Sequence, residues 1–435
     1  MSKPLCVIQG PVFNRSGYGD LATDLARSII RYDKYDVKIA PTRWGGCPSK
    51  VADTDITSDE DKKLFSHFLN GPLQKQPDLF VQISIPNEFQ PMGKYNIGIT
   101  AGIETTAASG QFIEGLNRMN MNIVTSNHVK KTFESAQYQK QYQDGRVEPL
   151  KSDKPMEICF WGADTSVYKK TDEKVQSIEE VMSTIPEKFA FLFVGQWTHG
   201  GLFTDRKDIA NLIKVFSETF QTAKPENRPC LIIKTNGANY SKVDRDEILK
   251  KIKKVQNLVG GNVPNVYLLH GELTPTEMNA LYNHEKVKVH VSFTHGEGFG
   301  HPILLSTLSG KPTVVSNWSG HLDFLNPKYA TFFEGTVKPI DPGSVNQWLI
   351  KESNWFYVSY SLASDKLKKL YNSLSKDTLE DYEKLRIENE QKFSIQAMDQ
   401  RLYQILDSYV PQFAVEQKIV LPKLKKIELP KLNKL

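Results

Sequence analysis

Hydrophobic positions along the chain fall into two successive series of short apolar runs with amphipathic stretches between them. LCVIQ at 5–9 reads as a buried strand. A helix follows near Tyr18, with Leu21, Leu25 and Ile29 on one face. YDVKIA, LFVQIS, NIGIT and NIVTS are further strand candidates, and helical segments separate most of them. Such alternation predicts a parallel sheet covered on both faces. From about Tyr142 to Ser183 the chain turns polar, and a hinge is expected there. FAFLFVG at 189–195 opens the second series, followed by a helix bearing Ile209, Leu212, Ile213, Phe216 and Phe220. CLIIK, a charged helix and VYLLH come next. TPTE at 274–277 then supplies an N-cap Thr, a first-turn Pro and a capping-box Glu. KVHVSF is one more strand, and beyond Trp355 the pattern reads as helical to about Tyr409. LPKL occurs twice near the end, where its prolines exclude a helix or a central strand.

The fold expectation is therefore α/β, with two doubly wound Rossmann-like domains facing across a cleft. The first is expected at 1–165 and the second at 185–390. A helix at 391–410 is expected to pack back on the first domain, and 411–435 forms a basic extended tail. In such sheets ligands bind beyond the carboxyl ends of the strands.

Composition narrows the class. The chain has 435 residues, 39% hydrophobic and 24% charged, as in ordinary globular proteins. Its longest apolar runs are strand-length, so no membrane span is expected. The start, MSKPLCVIQGPVF, lacks the features of a signal peptide, which points to the cytoplasm. Cys6, Cys47, Cys159 and Cys230 are far apart, as suits free thiols better than zinc ligands. From Pro411 onward six lysines face only Glu416 and Glu428, which accounts for most of the net charge of +5. The body is nearly neutral, so a general nucleic-acid-binding surface is not implied. The oligomeric state is left open.

Candidate chemistry concentrates in THGEGFGHPILLSTLSGKP at 294–312. A strand end, a glycine turn and a helix start make an anion site, because the first N–H groups of a helix point outward unpaired. Gly298 and Gly300 allow the backbone to approach a ligand, and Pro302 suits the first turn. Glu297 repels phosphate but accepts hydrogen bonds from sugar hydroxyls, so the turn fits a nucleotide-sugar; alternatively, Glu297 caps the helix. In THGGLFTDRKD at 198–208, Arg206 and Lys207 open the next helix and are placed to neutralise a diphosphate. The acidic run DTDITSDED at 53–61 reads as a solvated loop rather than a metal site. His295 and His301 flank the glycine turn, as donor contacts or as loop histidines without a role.

These blocks resemble the retaining GT-B glycosyltransferases of the "glycosyl transferases group 1" type, family four. FLFVGQW…RKD, LHGELTP through HLDFL, GADTSVY at 162–168 and the stretch 96–133 carry the likeness. It implies that Glu297 contacts the donor sugar, that backbone groups of Gly298, Phe299 and Gly300 hold sugar and phosphate, and that Lys207 binds the diphosphate. Gln196 stands where the family has an Arg, with Arg206 as its substitute. Gly271, Glu272 and Leu273 correspond to the base-holding loop. Gly17 and Gly19 in NRSGYGD match a glycine turn near the donor phosphates, and Glu104 faces the acceptor side. Leu305 occupies the position of the family's second Glu, which grips the ribose. The resemblance implies transfer from a nucleoside-diphosphate sugar, UDP-linked, to an acceptor hydroxyl with retention, without cofactor or metal.

SIPNEFQP…NIGITAGIETT also resembles bacteriophage transferases, some of which modify hydroxymethylated bases. That makes duplex DNA a candidate partner held by the lysine-rich tail, beside a carbohydrate or lipid-linked acceptor. Two alternatives keep or change the chemistry. A nucleotide-sugar epimerase or non-catalytic binder of the same fold is motivated by Leu305. A nicotinamide-dependent dehydrogenase fits poorly, because Leu21 and Ala22 leave the GxGxxG fingerprint incomplete after Gly17 and Gly19.

Overall fold

The computed structural model describes residues 3–50, 56, 58–197, 201–237 and 239–413. Two six-stranded sheets dominate it, and each pairs its strands in parallel throughout. The first contains β1 (Leu5–Gly10), β2 (Asp36–Pro41), β3 (Leu79–Ile83), β4 (Tyr95–Thr100) and β5 (Met121–Val124). An antiparallel hairpin, β6 (Gln137–Gln141) and β7 (Val147–Lys151), precedes its last strand, β8 (Met156–Ile158). The second sheet is built from β9 (Ala190–Val194), β10 (Cys230–Lys234), β11 (Val266–Leu269), β12 (Val287–Ser292), β13 (Thr313–Ser316) and β14 (Thr331–Phe333). A second antiparallel hairpin, β15 (Gly335–Pro339) and β16 (Asn354–Val358), follows.

The helices cover both faces of the sheets: α1 (Gly17–Tyr32), α2 (Asp59–Phe65), α3 (Gly110–Arg118), α4 (Asn127–Ser135), α5 (Gln176–Ser183), α6 (Ile209–Phe220), α7 (Lys242–Val259), α8 (Pro275–Asn283), α9 (His301–Thr307), α10 (Tyr360–Asn372), α11 (Lys376–Lys392) and α12 (Ile395–Tyr409). α1 starts where the Ser16 side chain accepts from Gly19 N, and it buries Leu21, Leu25 and Ile29. The TPTE capping box forms as expected at the head of α8.

Strand order fixes where a ligand can sit. The first sheet runs β2-β1-β3-β4-β5-β8 and the second β11-β10-β9-β12-β13-β14. In the second, connections from β9 and β12 leave in opposite directions, which opens a crevice beyond their carboxyl ends. The residues after β9 include Arg206 and Lys207, and those after β12 include Glu297.

The structure departs from the sequence expectations in three places. The polar stretch after Tyr142 is not merely a hinge: it completes the β6–β7 hairpin and gives the first sheet its edge strand β8. Residues 354–358 form a strand rather than the start of a helical run. Arg206 and Lys207 precede their helix, because Asp208 is its N-cap and takes the left-handed conformation.

The last helix, α12, returns to α1. Arg31 makes a two-pronged contact with Asp399 at 2.8 and 2.9 Å, and Tyr403 OH donates to Ser28 O at 3.1 Å. Cys6, Cys159 and Cys230 are buried free thiols and Cys47 is half-buried. No helix among the described residues is long and apolar enough to cross a membrane. The tail beyond Phe413, and the first Asp-x-Asp of the acidic run, lie outside the described residues. The second Asp-x-Asp lies on α2, where Asp61 pairs with Arg27, and no metal-binding cluster occurs among the described residues.

Candidate functional site

Glu297 stands at the centre of the cleft. It is 6% exposed, and its Oε1 receives Lys207 Nζ at 2.5 Å while its Oε2 lies 3.3 Å from Arg206 Nη1. Arg206 continues to Gly296 O at 2.7 Å and to Glu104 Oε1 at 3.4 Å. Two cations and two carboxylates, drawn from the ends of β4, β9 and β12, thus form one chain across the lobes. Burial favours a neutral Glu297, but Lys207 and Arg206 override it and hold the carboxyl down at about 2. Burial lowers the pKa of Lys207, and Glu297 opposes that trend. The carboxylate caps no helix: α9 has Gly300 as its N-cap and no side-chain cap bond, so that alternative is set aside.

The backbone of Glu297 is held from one side. Its N–H donates to Ser319 Oγ at 2.9 Å and its C=O accepts from Gly320 N at 3.0 Å. Ser319 takes a φ of 79°, a strained value for a residue with a Cβ, next to this contact. Lys207 and Arg206 are positioned from behind: Arg206 O accepts from His295 N at 2.8 Å, and Asp208 binds Asn211 and the Tyr360 hydroxyl.

The glycine turn meets the first lobe at close quarters. A Cβ on Gly296 would lie 2.1 Å from Glu104 O, and one on Gly298 would lie 2.1 Å from Ala101 O. These two glycines therefore serve the approach of the lobes. Gly298 O also accepts from Ser126 Oγ at 2.5 Å. The N–H groups of Gly298, Phe299 and Gly300 take no partner among the described residues, and all three residues are buried. Phe299 itself is buried against Phe324.

The other candidates lie around this centre. Gln196 donates to Gly237 O, and Gly271 O accepts from Lys234 Nζ at 2.6 Å. Glu272 forms an ion pair with Arg15 across the lobes, and Leu273 packs on the core beneath them. Gly17 is exposed at the head of α1, while Gly19 packs against the Asn14 carbonyl. Leu305 is 8% exposed and belongs to the apolar core. His295 and His301 are packing residues: His295 stacks on Trp355 at 4.5 Å and binds Phe356 O, and His301 stacks on Trp161 at 3.7 Å. Burial holds both histidines neutral, at about 4 and about 3.

Sequence reasoning missed three contributors. Arg15 and Lys234 reach the crevice from a turn and a strand end. Lys234 is brought down to about 8, chiefly by burial, with Glu272 acting in the opposite direction. Tyr18 OH pairs with Thr100 Oγ1 at 2.9 Å and accepts from Ala101 N at 3.1 Å, which ties α1 to the loop carrying Glu104. The position of Lys234 at the carboxyl end of CLIIK was the available signal. Nothing in the sequence marked Tyr18 beyond its place between two glycines.

Whole-chain comparison with solved structures places this architecture. A glycosyltransferase from Rickettsia africae superposes with a TM-score of 0.61 at 11% identity, over 94% of this chain and 99% of that one. HepE of Anabaena, solved with UDP and glucose, gives 0.58 at 12% identity, over 93% and 100%. The sucrose-phosphate synthase of Thermosynechococcus elongatus gives 0.56 at 11%, over 93% and 98%. The fold is GT-B. At the level of sequence, no family model and no curated protein matches the chain. Within GT-B architecture, the Lys207–Glu297–Arg206 cluster occupies the crevice between the two lobes, at the switch point of the second sheet.

Proposed function

We propose that the chain is a glycosyltransferase that moves a sugar from a nucleoside-diphosphate sugar, UDP-linked, to an acceptor hydroxyl with retention of configuration. The observation that carries this reading is the buried Glu297 held between Lys207 and Arg206 at the switch-point crevice. On donor binding, Lys207 and Arg206 turn to the diphosphate, with Arg15 and Lys234 adding positive charge on the nucleotide side. Glu297, a carboxylate at neutral pH, then accepts from sugar hydroxyls. Free N–H groups at Gly298, Phe299 and Gly300 hold sugar and phosphate oxygens, Gly17 and Gly19 close over the phosphates, and Gln196 and Gly271 to Leu273 flank the base. Leu305 supplies no acceptor to the ribose, so ribose binding falls to other groups.

In the transfer step the acceptor oxygen bonds to the anomeric carbon as the bond from that carbon to the phosphate oxygen breaks. The acceptor's proton passes to the departing diphosphate. The transition state is oxocarbenium-like, and fixed positive potential stabilises the growing negative charge. No cofactor and no metal enter the scheme. Acceptors considered are a hydroxymethylated DNA base and a carbohydrate.

Similarity to a solved glycosyltransferase and to HepE in complex with UDP and glucose supports the donor class. A donor screen by NMR tests it: release of UDP and consumption of one nucleotide-sugar are expected, and inertness toward all nucleotide-sugars would end the reading. Leu305 favours a second reading, a nucleotide-sugar epimerase or non-catalytic binder; an epimerase alters the donor with no acceptor present. For DNA, salt-sensitive duplex binding that falls on deletion of residues 411–435 is expected, and no binding by the intact chain excludes duplex DNA as a partner.

A further inference from the structure

The head of α1 enters the crevice at its nucleotide end. Arg15, just before the helix, pairs with Glu272 of the second lobe. Open space lies on both sides of that pair: a Cβ added at Gly17 or at Gly271 would meet no atom within 4 Å. Further into the helix, the face carrying Asp20 and Asp24 turns toward α9. Asp24 Oδ2 accepts from Trp161 Nε1 at 2.9 Å, and the Trp161 ring stacks on His301, the first residue of α9, at 3.7 Å. Asp20 lies four residues before Asp24, on the same face of α1 and nearer the crevice.

The acids at this end of the crevice differ in what they already hold. Asp24 accepts from Trp161 and lies 3.7 Å from Arg27. Asp164 accepts from Ser166 N at 3.0 Å and from Ser166 Oγ at 2.6 Å. Glu272 is taken by Arg15, and Asp244 accepts from Gly237 N at 2.9 Å and meets His270 Nε2 at 2.8 Å. Asp20 is exposed, and its carboxylate makes no hydrogen bond and no ion pair among the described residues. Its charge still reaches both sides of the gap. Burial and then Asp20 raise the pKa of Tyr168, and burial, Glu272 and Asp20 raise that of Tyr240 on the second lobe. The facing helix offers no acceptor there: Leu305 is 8% exposed and packs into the apolar core. A ribose brings two adjacent hydroxyls, and each is costly to enclose without an acceptor. A free carboxylate presents two oxygens to two such donors, and charge-assisted hydrogen bonds are the strong ones.

We propose that Asp20 grips the ribose of the nucleotide, its two oxygens accepting from the 2′- and 3′-hydroxyls. This rests on the transferase reading above and assigns the ribose to the first lobe, while the diphosphate stays with Lys207 and Arg206 of the second. The nucleotide is then shared between the lobes, so its departure is coupled to their parting.

Isothermal titration calorimetry on the full chain tests the assignment with three probes: UDP, 2′,3′-dideoxy-UDP and inorganic pyrophosphate. The unaltered chain is expected to bind UDP at least about tenfold more tightly than the dideoxy form. Asp20→Ala, a change at an exposed position, is expected to weaken UDP at least about tenfold and to leave the dideoxy form within about twofold, which abolishes the preference. Asp20→Asn keeps one acceptor oxygen and should fall between the two. Charge alone gives the opposite sign, because removing a carboxylate from a crevice that takes a polyanion tightens UDP and pyrophosphate alike. Pyrophosphate affinity that is unaltered or higher in Asp20→Ala supports the assignment by showing that the diphosphate site is intact. UDP binding that Asp20→Ala leaves unchanged or strengthens, or equal weakening of UDP and the dideoxy form, overturns the proposal and leaves the donor reading standing. Failure of the unaltered chain to bind UDP at all removes the donor reading, and this assignment with it.

Discussion

Glu297 is the residue whose surroundings say most about its work. A carboxylate with two cations within 3.3 Å is ionised under all ordinary conditions, and its pairing is a reservoir of stability. Its folded-state pKa, about 2, lies below the ordinary value of 4.5. The stability it contributes is therefore fully present above about pH 4.5 and is lost as pH falls toward 2. Glu297→Gln should lower the urea midpoint at pH 7, and the gap from the unaltered protein should narrow at pH 3. Glu297→Ala leaves the half-buried Lys207 without its carboxylate partner, while Arg206 keeps Gly296 O and Glu104, and should cost about 3 kcal/mol, so the Gln variant is the cleaner probe of activity. Lys207→Ala should reduce turnover by roughly 100- to 1000-fold, since it removes a preorganised charge from the leaving-group site. Retained kcat in this variant would move the diphosphate elsewhere.

Among the elements, the turn between β12 and α9 makes lobe contacts that the sequence alone could not show. Its glycines look like ligand-cradling residues, yet Gly296 and Gly298 face the carbonyls of Glu104 and Ala101. Gly298→Ala should force the lobes apart, leaving circular dichroism unchanged while small-angle scattering reports a larger radius of gyration and activity falls. An unaltered radius would show that the turn yields locally instead. The β15–β16 hairpin shows why some elements were illegible. NWFYV is short and apolar, and periodicity cannot tell such a run from buried helix. Its partner GTVKP is exposed and contains a glycine and a proline, so it carries little strand signal of its own. Pairing with β16 decides its conformation.

At the scale of the molecule, the two lobes are joined by more than the chain passing between them. Ser126 binds Gly298, Asn127 N donates to Asp323 at 2.8 Å, Arg15 pairs with Glu272, and Trp348 stacks on Phe112. α12 adds a clasp by returning to α1 after the second lobe is complete. Asp399 is 9% exposed and receives both prongs of Arg31. Asp399→Ala should lower the thermal midpoint by about one or two degrees, because the pair is only partly buried, with Arg31 exposed, and contributes about 1 kcal/mol. If α12 acts only as a clasp, the proposed UDP binding should be equal in the variant and the unaltered chain, and calorimetry of both would show whether it is.

The sequence by itself determined the two alternating series, the carboxyl-end loops on which chemistry could be carried, and the residue types standing there: Glu297, Arg206, Lys207 and Glu104. Those are local properties, since strand and helix periods extend over only a few neighbours. Only the tertiary structure decided that Lys207 and Glu297, 90 positions apart, touch at 2.5 Å. It also decided that Gly296 and Gly298 spend their missing side chains on lobe contact, and that Trp348 stacks on Phe112. Strand order brings the ends of β9 and β12 together at the point where the sheet's connections diverge, and pair contacts of that kind follow from topology rather than from any period in the chain.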